Sequence, residues 1–217
     1  MTTLPAHFAA AARRFPDRIA IVDGRGCETS FAALKARADG FAARWQAQGI
    51  GPGDRVLIAR PVDADLYASL AALWSLGAVA VLPEPAMGLA GLRHAARVTR
   101  PKGFCTDGWY RVLGLLLPEL WGVRTLGGPA DAKGMTPIAA AADTALISFT
   151  SGSTGKPKAI PRSHAFLAVA HRLMGDTLKS RKHIAQATDL VTRFKKTEMR
   201  SVVVARAAHR QLVARPV

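Results

Sequence analysis

A short stretch rich in hydroxyl groups, glycine and lysine is the part of the sequence best suited to bind an anion. It has the sequence TSGSTGKPK over residues 150–158. Glycine tolerates the positive φ angles that let successive backbone N–H groups converge on one anion. Serine and threonine hydroxyls add donors, and a lysine adds a point charge for phosphate oxygens. The predicted phosphate-binding residues are Thr150, Ser151, Gly152, Ser153, Thr154, Gly155 and Lys158.

This stretch differs from the P-loop of nucleoside triphosphatases. That motif requires Gly, four residues, then Gly-Lys-Ser/Thr, and a helix directly afterwards. Here Thr150 stands five residues before Gly155, and Pro157 follows Lys156. A Ser/Gly linker is the alternative that composition alone predicts. The stretch is short, however, and it follows an apolar segment directly, so the residues by themselves leave both interpretations open.

The elements that must position this stretch alternate between helical and extended periodicity. Apolar residues spaced three and four apart predict a helix over residues 31–45, capped by Ser30 and ended by Gly49. Strands are predicted at 55–59, 78–82 and 144–149 and near 102–105 and 123–126. Further helices are predicted after a cap at Asp63 or Asp65, near 88–97, near 109–117, and after Ser163. Strands that alternate with helices predict the α/β class, with a mainly parallel sheet flanked by helices.

Composition and charge narrow the class of protein. The chain has 217 residues, 49% of them hydrophobic, which favours a folded body over disorder. Its net charge of +15 suits phosphates of any kind, including nucleic acid and anionic membranes. Its two cysteines, Cys27 and Cys105, form neither a disulfide framework nor a zinc motif, so we expect a cytoplasmic protein. No signal peptide is predicted, and the uncharged segment 66–83 is interpreted as a helix followed by a strand, not a membrane span.

A family resemblance rests on FTSGSTGKPK, residues 149–158. It is similar to the phosphate-loop signature of the AMP-forming acid ligases, which include acyl- and aryl-CoA synthetases, luciferases and peptide-synthetase adenylation domains. The usual pattern is aromatic-Thr-Ser-Gly-Ser/Thr-Thr-Gly-x-Pro-Lys-Gly, and only Ala159 departs from it. Upstream segments also resemble the family in order and spacing, so the resemblance covers residues 5–172. The segment EPAMGLAGLRHAARVTRPKGF resembles members that activate long or β-hydroxylated fatty acids.

The resemblance implies a two-step ligase with ATP and Mg²⁺. A carboxylic acid, expected to be a fatty acid, would attack the α-phosphorus of ATP, and a thiol of coenzyme A or of a carrier protein would then take the acyl group. Lys158 is the lysine that the family pattern specifies, whereas Lys156 occupies a variable position and is expected to be solvated. His164 matches a position near the acyl and nucleotide pockets, although a local hydrogen-bonding role is favoured. The catalytic residues stay unknown, and no metal-ligand set is identified.

The resemblance divides the chain into two parts. Residues 1–174 are expected to form a partial N-terminal AMP-binding domain, and 175–217 a basic tail without resemblance to the family, partly disordered, with ten Lys or Arg against three Asp or Glu. The family's positions for magnesium, for the ribose and for the catalytic lysine find no match, so we expect little activity from the chain alone. A truncated or frame-shifted ligase, a short nucleotide-binding or regulatory relative, and a fragment that pairs with a separately encoded ligase half all stay open.

Two further expectations concern partners. A sheet that ends partway would leave an apolar face and a strand edge uncovered, which favours self-association. The alternative function is a non-catalytic nucleotide- or nucleic-acid-binding module that uses the basic tail. Charge is the only support for nucleic acid, because aromatic interleaving and a recognition-helix motif are missing, so nucleic acid is an unfavoured partner.

Overall fold

The computed structural model describes residues 4–130, 143–150 and 157–167. Within these ranges the helices are α1 (Leu4–Arg14), α2 (Phe31–Ala47), α3 (Ala64–Ser75), α4 (Gly88–Thr99) and α5 (Arg111–Leu116). The strands are β1 (Ile19–Val22), β2 (Glu28–Ser30), β3 (Arg55–Ala59), β4 (Val79–Leu82), β5 (Gly103–Thr106), β6 (Arg124–Leu126), β7 (Thr144–Thr150) and β8 (Lys158–Ser163). Short 3₁₀ turns cover Pro85–Met87, Gly108–Tyr110 and Pro118–Leu120. The predicted α/β class is confirmed.

The helix starts follow the predicted caps. The Ser30 hydroxyl accepts a hydrogen bond from the Ala33 amide at 3.2 Å and begins α2. Asp63, one of two candidates, caps α3 by accepting from the Leu66 amide at 2.9 Å. Gly49 lies just beyond α2 with φ +82°, a conformation that a side chain would strain. Local hydrogen-bonding groups therefore set these helix boundaries.

Six of the described strands form one sheet in the order β6-β5-β3-β4-β7-β8. All neighbours are parallel except β7 and β8, which pair antiparallel at the edge. A separate antiparallel hairpin, β1 with β2, lies between α1 and α2. Neither β8 nor this hairpin was predicted from the sequence. The parallel body explains why the inner strands have nearly continuous apolar sequences.

Both faces of the sheet are buried, each under its own helices. On one face, α2 and α3 pack against Val56, Ile58 and Ala80. On the other, α4 packs against Leu57 and Val81. Consecutive residues of β3 and β4 point to opposite faces, as the two-residue repeat of a strand requires. No described helix is long and apolar enough to cross a membrane, and segment 66–83 is α3 followed by β4, as predicted.

Candidate functional site

The strand order creates a site for a ligand at the carboxyl ends of the parallel strands. β3 leads into α3 on one face of the sheet, whereas the adjacent β4 leads into α4 on the other. In open α/β sheets, ligands bind outside the carboxyl ends of strands where the connections diverge in this way. β7 is parallel to β4, so its last residue, Thr150, lies at this same edge. The predicted phosphate stretch therefore begins at the edge where a ligand is expected.

The β7–β8 hairpin holds the two ends of that stretch together. Thr150 is paired with Lys158 at the last position of the antiparallel ladder, and both side chains are exposed. Phe149, one residue earlier, pairs with Ala159 and is buried. The predicted positions Ser151, Gly152, Ser153, Thr154 and Gly155 lie outside the described residues, as does Lys156. Of the predicted set, the structure brings together Thr150 and Lys158.

A histidine that the sequence analysis did not select lies next to the end of the hairpin at which β7 and β8 are connected. The Nε2 atom of His94, on α4, is 2.8 Å from the carbonyl oxygen of Pro157. The His94 ring also meets the Phe149 ring edge to face, with centroids 6.2 Å apart. Because Pro157 and Phe149 lie 63 and 55 residues further along the chain, no local sequence signal could have identified this contact.

Arg60 is a second residue that sequence reasoning missed. It follows β3 at the carboxyl edge of the sheet, and only 2% of its side chain is exposed. Its guanidinium lies 3.3 Å from Asp65 and 3.8 Å from Asp107, and donates to the Ser69 hydroxyl at 3.2 Å. These contacts join the ends of β3 and β5 to the first turns of α3. A buried guanidinium paired with carboxylates on two sides holds the ends of β3 and β5 in place against α3.

The thiol of Cys105 lies beside this cluster. Burial raises the pKa of Cys105, against the opposing effect of the Arg60 guanidinium. Its sulfur is 3.8 Å from the Ser69 hydroxyl. A buried thiol with a raised pKa is protonated at neutral pH and is a poor nucleophile, so Cys105 is a core residue. Within the described parts of the chain, no group of three or more His, Cys, Asp or Glu residues is arranged to hold a metal ion.

The structure places His164 away from the site. Its amide donates to the carbonyl of Asp143 at 3.1 Å, next to the amino end of β7. Thr150 is at the other end of that seven-residue strand, about 20 Å away at the usual rise of an extended chain. The structure therefore does not place His164 at the nucleotide-pocket position, the alternative that the sequence analysis did not favour, and the favoured local hydrogen bond is made by its backbone amide and not by its ring among the described residues. Its ring instead packs edge to face against Trp74, with centroids 6.2 Å apart.

His164 predicts a pH-dependent stability. The ring is 5% exposed, neither ring nitrogen has a hydrogen-bond partner among the described residues, and burial lowers its pKa, opposed by Asp143. In the unfolded chain the imidazole takes up a proton below its ordinary pKa of 6.5, while in the folded protein, whose His164 pKa is lower, it does so only at a lower pH. The unfolded state then binds more protons, so stability is complete above pH 6.5 and falls as the pH drops below that value.

We expect H164F to flatten this pH dependence. The measurement is the urea midpoint at pH 7.5 and pH 5.0 for the wild type, H164F and H7A, whose histidine is exposed on α1. One such group changes the free energy of unfolding by at most about 1.4 kcal/mol per pH unit. The wild type and H7A should lose more stability between the two pH values than H164F does. Equal losses in all three proteins would exclude His164 as the cause.

The comparison with known proteins identifies the family. A family model described as AMP-binding enzyme matches residues 8–205. This chain belongs to the AMP-binding enzyme family. The match continues beyond residue 174, and the proposed boundary at that residue stays a prediction.

Several known proteins are similar to this AMP-binding chain. It is 35% identical over 188 residues to a salicyl-AMP ligase / salicyl-S-ArCP synthetase of Mycobacterium tuberculosis, which covers 75% of this chain and 33% of the relative. The N-terminal subdomain of Klebsiella oxytoca NpsA in complex with 3-hydroxybenzoyl-AMSN has a TM-score of 0.63 and 26% identity, over 76% of this chain and 41% of that one. ATP-bound MatB of Rhodopseudomonas palustris shares the fold, with a TM-score of 0.68 and 24% identity. The match covers 81% of this chain and 37% of that one.

The AMP-binding chain described here spans about a third of the length of the curated relative that it matches. Its sheet, with helices on both faces, corresponds to the N-terminal part of those proteins. The predicted membership in the AMP-forming ligases and the predicted fold are both confirmed.

Proposed function

We propose that this chain supplies the polyphosphate-binding hairpin of a ligase that activates a carboxylic acid with ATP. The supporting observation is the pairing of Thr150 with Lys158 at the carboxyl end of β7. This pairing brings a hydroxyl and an ammonium group to the edge of the sheet where ligands bind in open α/β folds. The family membership adds ATP as the nucleotide.

The proposed reaction has two steps. A carboxylate oxygen of the substrate attacks the α-phosphorus of ATP, the bond from that phosphorus to the bridging oxygen breaks, and pyrophosphate leaves. A thiol, of coenzyme A or of a carrier protein, then attacks the acyl carbon and AMP leaves. Such transfers depend mostly on positioning and on the neutralisation of charge. In this chain Lys158 would neutralise charge on the departing pyrophosphate, and Thr150 would donate a hydrogen bond to it.

Mg²⁺ is the metal that this chemistry ordinarily uses. Among the described residues no set of carboxylate or imidazole groups is arranged to hold it, and Thr150 offers a single hydroxyl at the site. Mg²⁺ is usually bound through one or two carboxylates together with the phosphates of the substrate, so its ligands are left unassigned here and no step is assigned to the ion.

The acid is proposed to be a fatty acid, on the resemblance of the segment that includes α4. An aryl acid is the alternative, because the salicyl-AMP ligase relative is named for one. Two free cysteines, one exposed and one buried, suit a reducing cytoplasmic setting. Self-association is also proposed, since the side chains of Leu115, Leu116 and Trp121 are 60–75% exposed around α5.

We expect the 217-residue chain to bind ATP but to show little or no acid-dependent ATP–pyrophosphate exchange. The reason is the missing match for the family's magnesium, ribose and catalytic-lysine positions. Exchange is measured with a panel of fatty and aryl acids, and a full-length relative serves as the positive control. Robust exchange by the chain would contradict this expectation. Size-exclusion chromatography of the same preparation tests self-association, which a monodisperse monomer would exclude.

Titration with ATP and with mixed-sequence DNA across a salt series separates the proposed function from its alternative. Binding of ATP supports the hairpin as a nucleotide site. Steeply salt-dependent binding of DNA without any binding of ATP would replace the proposal with a nucleic-acid module that acts through charge.

A further inference from the structure

We propose that His94 is a positioning residue for the lysine side of the β7–β8 hairpin. This inference rests on the proposed function, because it concerns the placement of Lys158 for a polyphosphate. It assigns a role to a residue on α4, an element that carries none of the predicted phosphate-binding residues.

His94 contacts both strands of the hairpin. On the incoming strand its ring meets the buried ring of Phe149. On the outgoing side its Nε2 atom is 2.8 Å from the carbonyl oxygen of Pro157. A carbonyl can only accept, so Nε2 carries the proton in this contact. One imidazole therefore links the residue before Thr150 to the residue before Lys158.

The carbonyl is the one backbone group through which Pro157 can form a hydrogen bond. Proline has no backbone N–H, so this residue cannot donate to the ladder. Among the described strands, β8 also lies at the edge of the sheet and pairs only with β7. The hydrogen bond from His94 fixes the peptide group that joins Pro157 to Lys158. The backbone from which the Lys158 side chain departs is then held by β7 on one side and by α4 on the other.

The helix that carries His94, α4, is held in place by contacts on two sides. Leu92, Ala95 and Ala96 are buried against the sheet on either side of His94 in the sequence. On the solvent side, Arg93 and Arg97 bind the carboxylate of Glu119 at 2.7 and 2.8 Å. Their hydrogen bonds, that of Arg97 first, lower the pKa of Glu119 to about 2, so the clamp persists across the whole neutral range. His94 thus projects from a helix that is held on two sides.

Two substitutions separate the hydrogen bond from the ring contact. H94F keeps an aromatic ring against Phe149 but removes the donor, whereas H94Q keeps a donor without the ring. H7A, at an exposed position on α1, controls for the loss of a histidine. The measurements are the affinities of the 217-residue chain for ATP and for AMP, and amide hydrogen exchange across residues 157–163 without nucleotide.

For H94F we expect an ATP affinity about threefold to tenfold lower, as the loss of one hydrogen bond to a neutral carbonyl gives, and an unchanged AMP affinity. Exchange across residues 157–163 should be faster in H94F, and H94Q should restore both properties to within about twofold of the wild type. The proposal would be overturned if H94F lost affinity for ATP and for AMP by the same factor, or if its affinity for ATP equalled that of the wild type.

The failure of the proposed function has a different signature. If the wild type binds neither nucleotide, the phosphate site is excluded, and the exchange data then decide the role of His94. Faster exchange in H94F with recovery in H94Q supports positioning of the hairpin by His94, and identical exchange in all variants refutes it.

Discussion

Alanine in place of Lys158 is expected to weaken the binding of ATP by about tenfold to a hundredfold. Hydrogen bonds to charged groups contribute about 1.5–3 kcal/mol, which corresponds to that range of affinity. The Lys158 side chain is exposed and forms no ion pair or side-chain hydrogen bond with the described residues, so its removal should leave the fold intact. The affinity is measured by calorimetric titration at constant ionic strength, together with the urea midpoint of each protein.

Lys156 provides the matched control for this substitution. It lies two residues earlier, at the position where the family pattern varies, and it carries the same charge. K156A should change the affinity for ATP by less than about twofold, because the family pattern specifies no lysine at this position and a charge that makes no direct contact with the ligand is largely screened by salt. Equal losses in K156A and K158A would indicate a general electrostatic attraction of this basic chain in place of a specific contact at Lys158.

Alanine in place of Trp45 is expected to lower the free energy of unfolding by about 3–5 kcal/mol, the usual cost of truncating a large buried aromatic residue. Trp45 on α2 is 0% exposed, and its ring packs 5.0 Å from that of Phe41. Its indole N–H also donates to the carbonyl of Gly127 at 3.1 Å, which ties α2 to the segment after β6. The substitution would leave a cavity and an unpaired carbonyl together. The measurement is urea unfolding followed by circular dichroism.

Trp121 is the control for the Trp45 substitution. It is 68% exposed, and its indole N–H donates to the Leu115 carbonyl at 3.0 Å. W121A should cost less than about 1 kcal/mol, since little area returns to water and the carbonyl is accessible to solvent. A W45A protein as stable as W121A would show that the α2–α3 face is not the main core of the molecule.

The inner part of the fold could be predicted because its signals are local. The spacing of apolar residues over 31–45 depends only on neighbouring turns of one helix, and α2 begins at Phe31 after the predicted cap. Strand β3 occupies residues 55–59, the range that its apolar run predicts. Signals of this kind need no knowledge of the rest of the chain.

The hairpin strand β8 could not be predicted in this way. Its sequence, KAIPRS, contains Pro161, which ordinarily argues against a strand. Proline is tolerated here because β8 is at the edge of the sheet that the described strands form, and none of those strands pairs with its outer side. That position is a property of the whole sheet, so the residues after the phosphate stretch suggested only an apolar link to a helix.

Part of the candidate site was predicted: the sequence identified Thr150 and Lys158, but not the residues of other elements that contact the hairpin. Thr150 and Lys158 were identified by residue type and by family resemblance, and their pairing follows from the β7–β8 ladder. His94 contacts the hairpin, and Arg60 contacts Asp107 at the end of β5, in each case through a residue that is distant in sequence. The location of His164 was not predicted, because a helix start after β8 was predicted without the antiparallel return of that strand, which carries the chain to the opposite edge of the sheet.

The most direct test is a comparison of ATP with AMP as ligands of the unmodified 217-residue chain. A hairpin that binds the β- and γ-phosphates through Thr150 and Lys158 should favour ATP over AMP by at least about tenfold at fixed ionic strength, and free pyrophosphate should compete with ATP. Equal affinity for ATP and AMP without competition by pyrophosphate would contradict the polyphosphate site, and the family membership and the fold would stand without it.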